Sequence, residues 1–366
     1  MVYLVVTHGT SSIDLYSVRL ANYLKVPLLH TDIYQRIRRL FNKPLLSPYL
    51  FEGFMLLKDF VKRLRETPGI PHLPNHHLGR FGYFLGKPFI ITVHDLMRYL
   101  DLVGGGPCLI RKPNLQDALW LHLDYLGAVK AAKIVVPSNH TKNDLVRYLK
   151  VPEEKVVVIY HGIDEAFKPV EGPRPCEEPY VLYVGSEHPR KNLATLLKAF
   201  KLLKQDPKFR ELKLVKAGPA GGEEKSFRSD TMSVVEALGL KGDVIFVDRW
   251  LSVEELAALY SQAELFAFPS IYEGFGWPPL EAMACGCPVI ASNTTSLPEV
   301  LGDAAMYADP ASPEAWAEAM ERVLTDDRLR RKLASMGLER AKQFTWRRAA
   351  EQLLRVYEEV EELYGA

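Results

Sequence analysis

The chain has 366 residues, of which 48% are hydrophobic and 25% are charged, and its formal net charge is +1. This length is enough for two domains with separate cores, and no apolar run reaches the roughly 18 residues of a membrane-spanning helix. The four cysteines are too few for a disulfide framework and lack paired zinc-site spacing. Reduced thiols and a cytoplasmic location are therefore predicted.

The charge is unevenly distributed along the chain. Residues 1–150 carry 20 Lys and Arg against 10 Asp and Glu, a balance of +10, whereas the remainder carries 26 against 35, a balance of −9. A basic half favours an anionic acceptor, an anionic membrane surface or nucleic acid as partner. No nucleic acid is predicted, because the sequence shows no zinc-finger spacing, RNP-like aromatic motif or basic zipper.

The chain opens with an apolar run, Val2 to Val6, which predicts a buried parallel strand followed by a small polar loop and a helix. The loop lacks the Gly-x-Gly-x-x-Gly pattern that a nicotinamide-dependent oxidoreductase would need here. Gly9 and Thr10 have two interpretations, the wall of a ligand-binding cleft or a plain turn between strand and helix.

The segment 34–66 combines eight Lys and Arg with three Asp and Glu, interleaved with Phe, Leu and Tyr. This pattern is typical of an interfacial helix on an anionic membrane, where rings enter the headgroup zone and cations meet phosphates. It also fits an ordinary amphipathic helix that packs on the N-terminal sheet. Both interpretations stay open, and with them a peripheral location at the inner face of the membrane.

Histidines follow the next two predicted strands, Ile70 to Leu73 and Phe89 to Val93. Ligands bind beyond the carboxyl ends of parallel strands, which is where His94 lies. His94 is therefore a candidate ligand contact, with a packed strand-end histidine as the alternative. His72, His76 and His77 match no helical zinc motif, so a loop set lining a cleft is favoured over a metal site.

Two segments read as connections rather than as regular elements. Residues 102–113, with Gly104 to Gly106 in succession, predict a flexible loop that could close over an acceptor. Residues 168–179 contain four prolines and no apolar periodicity, which predicts a linker between domains.

The strand Tyr180 to Val184 runs into the sequence GSEHPRKN. Gly185 ends the strand and a helix is predicted to begin near Asn192, so Arg190 and Lys191 lie where cations can meet a diphosphate. The alternative is a pair of solvated charges at a helix start.

The apolar run Leu265 to Phe268 predicts a strand that enters the stretch 268–292, FPSIYEGFGWPPLEAMACGCPVIAS. In this stretch a Pro-Ser turn, a Gly-rich loop and a helix-like segment, Pro279 to Cys285, lead into a second strand. Gly274 and Gly276 allow backbone N–H groups to approach a ligand closely, and Glu273 and Glu281 can accept hydrogen bonds from hydroxyls. This combination fits a sugar nucleotide. A structural Gly-rich turn with a solvated Glu is the alternative.

The stretch EGFGWPPLEAMACGCPVIAS resembles the Glu-x7-Glu motif of the retaining glycosyltransferases of family 4, which share the two-domain GT-B fold. The resemblance implies that Glu273, Gly274, Phe275 and Gly276 face the donor sugar and that Glu281 binds the ribose. It also implies that Gly185, Arg190 and Lys191 hold the diphosphate in place of a metal, although Ser186 stands where the family usually has Arg.

The resemblance extends to weaker positions along the chain. It places Gly9 near the nucleotide, His94 against the acceptor or the reacting sugar, and the backbone at Trp250 and Leu251 beside the base. Gly162 and Asp164 would lie near the cleft between domains, and the sequence after Phe344-Thr345-Trp346 would cross back to the first domain.

The expected fold is therefore α/β of GT-B type, with two Rossmann-like domains whose parallel sheets face each other across a cleft. The expected ranges are 1–168 for acceptor binding, 169–345 for nucleotide-sugar binding, and 346–366 for a helix that returns to the first domain.

The expected reaction moves a hexose, with retention, from a nucleotide-diphosphate sugar to a hydroxyl acceptor on a glycan, a lipid or a small molecule. Neither a metal nor a cofactor is predicted, and His94, Arg190, Lys191 and Glu273 are the candidate catalytic residues. Two alternatives are a GT-B nucleotide-sugar epimerase and a non-catalytic nucleotide-sugar-binding subunit.

Overall fold

The computed structural model describes residues 1–9, 11–41, 43–44, 48–104, 113–220 and 226–365. Thr10, Cys108 and most of the predicted glycine loop at 102–113 lie outside the described residues. The chain divides into two compact units. Unit 1 comprises residues 1–162 and 346–366, and unit 2 comprises residues 163–345.

Unit 1 is built around a six-stranded parallel sheet with strand order β2-β1-β3-β4-β5-β6. Its strands are β1 (Val2–Thr7), β2 (Leu28–Thr31), β3 (Ile70–Leu73), β4 (Ile90–Thr92), β5 (Lys133–Val136) and β6 (Val156–Val158). The connecting helices are α1 (Ser12–Ala21), α2 (Ile33–Arg38), α3 (Pro48–Glu66), α4 (Gly79–Leu85), α5 (Met97–Val103), α6 (Leu115–Val129) and α7 (Asn139–Leu149).

Unit 2 repeats this plan with strand order β12-β11-β10-β7-β8-β9, again all parallel. Its strands are β7 (Tyr180–Val184), β8 (Lys213–Ala217), β9 (Val244–Val247), β10 (Leu265–Phe268), β11 (Val289–Ser292) and β12 (Ala305–Ala308). The helices are α8 (Leu193–Leu203), α9 (Ser226–Ala237), α10 (Val253–Gln262), α11 (Trp277–Ala284), α12 (Leu297–Leu301), α13 (Pro313–Thr325) and α14 (Asp327–Ala341).

The last helix, α15 (Trp346–Tyr364), groups with unit 1. Its Tyr357 hydroxyl lies 2.7 Å from Nδ1 of the buried His72 on β3, and Lys133 on β5 pairs with Glu359 at 2.5 Å. The segment from Ile163 to Lys168 groups with unit 2, although the sequence analysis assigned it to the first domain.

The central strands β1, β3, β4, β10 and β11 are mostly apolar and fully buried, as expected of a parallel sheet that helices cover on both faces. The prediction of two α/β domains with parallel sheets is confirmed. A capping box begins α10, since the Ser252 hydroxyl accepts from the backbone of Glu255 and the Glu255 carboxylate accepts from the backbone of Ser252.

Helix α3 has two different halves. Its buried face carries Leu56, Leu57, Phe60, Val61 and Leu64, which pack into unit 1 as the amphipathic-helix interpretation expects. The first half also exposes aromatic and apolar side chains, with Phe51 70% and Phe54 46% exposed. Among the described residues no helix has the length and apolar character to cross a membrane.

Candidate functional site

A cluster of charged side chains lies in unit 2, where the turns after β7 and β10 meet. Arg190 and Lys191 belong to a short 3-10 turn, Pro189–Lys191, that precedes α8. The backbone N–H of Ile271 donates to the Arg190 carbonyl at 2.7 Å, so the two turns are joined through the main chain. Both are at the carboxyl ends of neighbouring parallel strands, the usual position of ligand sites in such sheets.

Glu273 is the centre of this cluster. Its Oε1 atom accepts hydrogen bonds from Arg190 Nη1 at 2.7 Å, Lys191 Nζ at 2.6 Å and the Ser270 hydroxyl at 2.6 Å. The Glu273 backbone N–H also donates to the Thr295 hydroxyl at 3.1 Å. Charge-assisted hydrogen bonds of this length are among the stronger polar interactions in proteins, so the carboxylate is held in one place.

Burial and neighbouring charges both shift the pKa values of Glu273 and Lys191. Burial alone would raise the pKa of the Glu273 carboxyl, but Arg190 and Lys191 lower it to about 2. Burial and the Arg190 charge lower the pKa of the Lys191 ammonium to about 8, although Glu273 acts in the other direction. Glu273 is therefore a carboxylate at neutral pH, whereas Lys191 loses its proton in mildly alkaline solution.

The Gly-rich loop between Glu273 and α11 has a conformation that glycine favours. Gly276 has φ +97° and is the N-cap of α11, and a Cβ atom at this position would lie 2.7 Å from Leu297 Cδ2. Gly274 is buried, and the Phe275 ring is 5% exposed and packs edge-on against Phe344. The Phe275 side chain is thus part of the core of unit 2.

Glu281 lies inside α11 and is partly buried. The Tyr260 hydroxyl donates to its Oε2 atom at 3.1 Å. The glutamate also helps to keep Lys191 protonated. Glu281 is thus in the electrostatic environment of the Glu273 cluster.

The remaining predicted positions in unit 2 lie further along the sheet. Gly185 ends β7, and its N–H donates to the Ala217 carbonyl at 3.0 Å, which joins the turns after β7 and β8. Trp250 and Leu251 follow β9, the edge strand of the sheet, and Trp250 is 70% exposed. No described contact brings Trp250 or Leu251 into the Glu273 cluster.

Gly9 and His94 lie in unit 1. A Cβ atom on Gly9 would lie 2.0 Å from Gln35 Nε2 and 2.3 Å from Asp14 Oδ2, so a larger residue there would require these side chains to move. His94 Nε2 donates to the Pro74 carbonyl at 2.9 Å. Burial lowers the pKa of His94 to about 4, the Pro74 bond opposing this effect and His77 adding to it, so this histidine is neutral at pH 7.

Several side chains around the site were not identified from the sequence. The Ser270 hydroxyl donates to the Glu273 carboxylate, and the hydroxyl groups of Thr295 and Ser296 bond to the Glu273 backbone. The Tyr260 hydroxyl donates to Glu281. Ser270 lies two residues after the apolar strand β10, which is a signal that could have been used, whereas Thr295 comes from the turn after β11 and has no sequence motif.

A second buried charge cluster was also missed. Lys216 Nζ on β8 donates to the carbonyls of Gly218 at 2.7 Å and Pro219 at 3.0 Å and lies 3.3 Å from Glu187. Arg228 on α9 pairs with both Glu187 and Asp248. This cluster holds together the turns after β7, β8 and β9.

No group of three or more His, Cys, Asp or Glu side chains able to hold a metal occurs in the part of the chain that the structure describes.

Comparison with known proteins identifies the family of both halves of the chain. Residues 5–167 match the model of Glycosyltransferase Family 4, and residues 164–340 match the model of Glycosyl transferases group 1. The D-inositol 3-phosphate glycosyltransferase of Corynebacterium glutamicum (strain R) is 30% identical over 329 residues, which cover 84% of this chain and 75% of that protein. The O-antigen chain mannosyltransferase B of Escherichia coli is 33% identical over 241 residues, which cover 63% of this chain and 61% of that protein.

The alignments to the first five curated relatives span 31% to 66% of the length of those proteins. Among solved structures, HepE of Anabaena in complex with UDP-glucose superposes with a TM-score of 0.77 at 17% identity, over 98% of this chain and 99% of that chain. This likeness concerns the fold. With both family models matched in sequence order, the chain belongs to the family 4 glycosyltransferases, which have the GT-B fold.

Proposed function

We propose that the protein transfers a hexosyl group from a nucleoside diphosphate sugar to a hydroxyl group of an acceptor. One observation carries the proposal: Arg190 and Lys191 converge on Glu273 at the mouth of a Gly-rich loop in unit 2. Two cations share one carboxylate oxygen, so Glu273 neutralises only one of the two positive charges and the other can attract a diphosphate. The carboxylates of Glu273 and Glu281 can accept hydrogen bonds from sugar hydroxyls.

In the proposed reaction the bond between the anomeric carbon and the diphosphate oxygen breaks, and its electron pair leaves with the diphosphate. Arg190 and Lys191 stabilise that developing charge. The acceptor oxygen forms the new bond to the anomeric carbon, and its proton passes to the leaving phosphate. Attack on the same face gives retention, and the two cations take the place that a divalent metal has in other enzymes.

The relatives guide the choice of donor. One is named a mannosyltransferase, and the HepE structure with the same fold holds UDP-glucose. Mannose and glucose, linked to GDP or UDP, are therefore the first donors to test. The acceptor classes are the hydroxyl groups of a glycan, a lipid or a small molecule.

We also propose that the first half of α3 contacts an anionic membrane. Phe51 and Phe54 are exposed there, and the exposed positions Lys58, Lys62 and Arg63 follow on the same helix. Aromatic rings beside cations are the pattern of an interfacial helix. Peripheral attachment of a cytoplasmic enzyme would then bring it to lipid-linked hydroxyls.

The test of the proposal is turnover by the purified chain. UDP, GDP, ADP and TDP hexoses are incubated with and without methyl α-mannopyranoside, in the presence and absence of EDTA, and followed by NMR. We expect nucleoside diphosphate release and a glycoside with the anomeric configuration of the donor, in EDTA as well. An isomerised donor without acceptor would favour an epimerase, and binding without any turnover would favour a non-catalytic subunit.

A further inference from the structure

Lys216 is a buried lysine on β8 that the proposed chemistry does not use. The residue is 0% exposed, and burial lowers the pKa of its ammonium group, although Glu187 and Asp248 act in the other direction. Moving a charged group out of water is unfavourable, and an apolar side chain of similar volume often stabilises a fold equally well. Burial alone therefore favours an apolar residue on this strand, and the lysine needs another explanation.

A row of three side chains crosses the sheet of unit 2 at the level of Lys216. The register pairs Tyr183 on β7 with Lys216 on β8, and Lys216 with Phe246 on β9, so the three side chains lie on one face. The Tyr183 hydroxyl donates to the Ser186 carbonyl at 2.8 Å. Arg228 Cζ lies 4.0 Å from the centre of the Phe246 ring. The row therefore contacts both the turn after β7 and the start of α9.

Glu187, in the turn after β7, is a partner of two cations. Its side chain is 0% exposed, and its Oε1 atom lies 3.3 Å from Lys216 Nζ and also pairs with the Arg228 guanidinium. Asp248, which follows β9, pairs with the same two cations and lies 3.5 Å from Lys216. Two cations are thus matched by two carboxylates, and the charges of this network balance.

His188 links the network to the cation pair of the candidate site. It follows Glu187 in the chain, and its ring packs edge-on against Phe227, the neighbour of Arg228 in α9, with centroids 5.5 Å apart. Its Nδ1 atom accepts from the backbone N–H of Arg190 at 3.2 Å, which makes His188 the N-cap of the 3-10 turn that carries both cations. Helix α9 therefore contacts two consecutive residues of the turn.

The backbone of this turn determines where the two cations lie. A cation stabilises a leaving diphosphate only within hydrogen-bond distance of its oxygens, and a misplacement of about 1 Å can cost about a hundredfold in rate. Buried polar networks whose members all have partners make the surrounding structure rigid, because hydrogen bonds and ion pairs have preferred directions. A lysine at position 216 thus gives the turn a fixed conformation that an apolar side chain would not.

We propose that Lys216 and Glu187 are positioning residues of the donor site, which fix the turn after β7 so that Arg190 and Lys191 contact the diphosphate. This inference rests on the proposed function and deepens it. Both side chains are 0% exposed, so they act through the two cations and not by contact with the donor.

The test removes both charges of the buried pair at once. The double variant Glu187→Gln, Lys216→Met leaves the other ion pair of the network in place and no buried charge without a partner. The matched control is Glu178→Gln, Lys213→Met. Lys213 is at the opposite end of the same strand, where it lies 4.0 Å from Glu178 and donates to a backbone carbonyl at 3.0 Å.

Calorimetric titration with UDP, UMP, GDP and GMP at pH 7 measures the effect on the full-length chain. The ratio of the dissociation constants of a monophosphate and its diphosphate isolates the contact with the terminal phosphate, and the number of sites per chain reports the folded fraction. The unfolding midpoint of each protein is measured in parallel.

We expect the wild type to bind one diphosphate more tightly than its monophosphate. The double variant should lower that ratio about tenfold, the effect of weakening one charged hydrogen bond, and the control variant should retain it. Should the double variant not fold, Arg228→Gln, which removes the cation whose side chain is 23% exposed, should lower the ratio in the same direction.

A lower midpoint or fewer sites with an unchanged ratio would show a purely structural network and overturn the inference. An equal loss of affinity for monophosphate and diphosphate, or a loss of the same size in the control variant, would overturn it too. A wild type that binds none of the four nucleotides would contradict the proposed function and the inference with it, whereas tight wild-type binding with an unchanged ratio in the variant overturns the inference alone.

Discussion

Lys191 is the residue of the site whose protonation state changes closest to neutral pH. The residue is 8% exposed, its ammonium group is bonded to Glu273, and burial together with Arg190 lowers its pKa to about 8. Only the protonated form stabilises a leaving diphosphate. In the proposed reaction, activity of the free enzyme therefore requires the proton on Lys191.

The first prediction concerns this pH dependence. kcat/KM for the donor should fall as the pH rises through about 8, because the fraction of protonated Lys191 falls. Lys191→Arg, which stays protonated, should remove the alkaline decrease while retaining part of the activity. A pH–rate profile measured from pH 6 to 10 checks this, and an identical alkaline decrease in both proteins would exclude Lys191 as its cause.

The second prediction concerns Glu281. Glu281→Gln keeps an oxygen that can accept from the Tyr260 hydroxyl, so the unfolding midpoint should change little. The donor KM should rise roughly ten- to hundredfold, which corresponds to a lost charged hydrogen bond to the ribose. Steady-state kinetics measure this, with Glu264→Gln, which changes a half-exposed partner of Arg330, as the control. A donor KM equal to that of the wild type would contradict ribose binding by Glu281.

At the scale of the elements, the glycine loop before α11 positions the site. Gly276→Ala would place a Cβ against Leu297 at a φ of +97°, whereas Gly242→Ala meets a similar φ of +91° with no neighbour within 4 Å. Both should destabilise the protein by about 1–2 kcal/mol through strain. Only Gly276→Ala should also weaken nucleotide binding, as measured by calorimetry. Equal nucleotide affinity in the two variants would argue against a role for this loop.

Helix α3 gives the prediction on membrane contact. Phe51→Asp should lower sedimentation with anionic liposomes about tenfold, since a buried Phe ring contributes about 1.5–3 kcal/mol. Phe84→Asp on α4 changes a ring that is also exposed, at 42% against 70% for Phe51, and should have no effect. Absence of wild-type binding to these liposomes at low salt would remove the proposal.

The strands and helices were predictable to the extent that their sequence pattern reflects burial. β1 and β10 are continuous apolar runs and were identified from the sequence. β2 was not, because it is an edge strand with mostly exposed side chains and therefore has no apolar run. Hydrophobic periodicity identifies a strand because buried positions are apolar, and an edge strand has few buried positions.

At the scale of the whole molecule, long-range partners were the part that the sequence could not supply. The Glu-x7-Glu spacing indicated which carboxylates matter, but not that Glu273 pairs with Arg190, 83 positions away. Such contacts depend on where the sheet brings its turns together, which local pattern does not specify.

The charge balance changes sign along the chain. Residues 1–150 have a balance of +10 and the remainder −9, yet the cationic pair proposed to bind the diphosphate lies in the acidic part. Net charge describes long-range attraction, whereas binding depends on the few groups in contact with the ligand. The central claim therefore concerns Arg190 and Lys191 rather than the overall field.

Calorimetric titration of UDP and GDP at pH 7 tests that claim most directly. Wild type should bind one of them at one site per chain, and the double variant Arg190→Gln, Lys191→Gln should bind it about a hundredfold more weakly, the effect of losing two charged hydrogen bonds. Lys208→Gln, which changes an exposed lysine of unit 2 paired with Glu321, should bind like the wild type. Undiminished binding by the double variant would contradict the account.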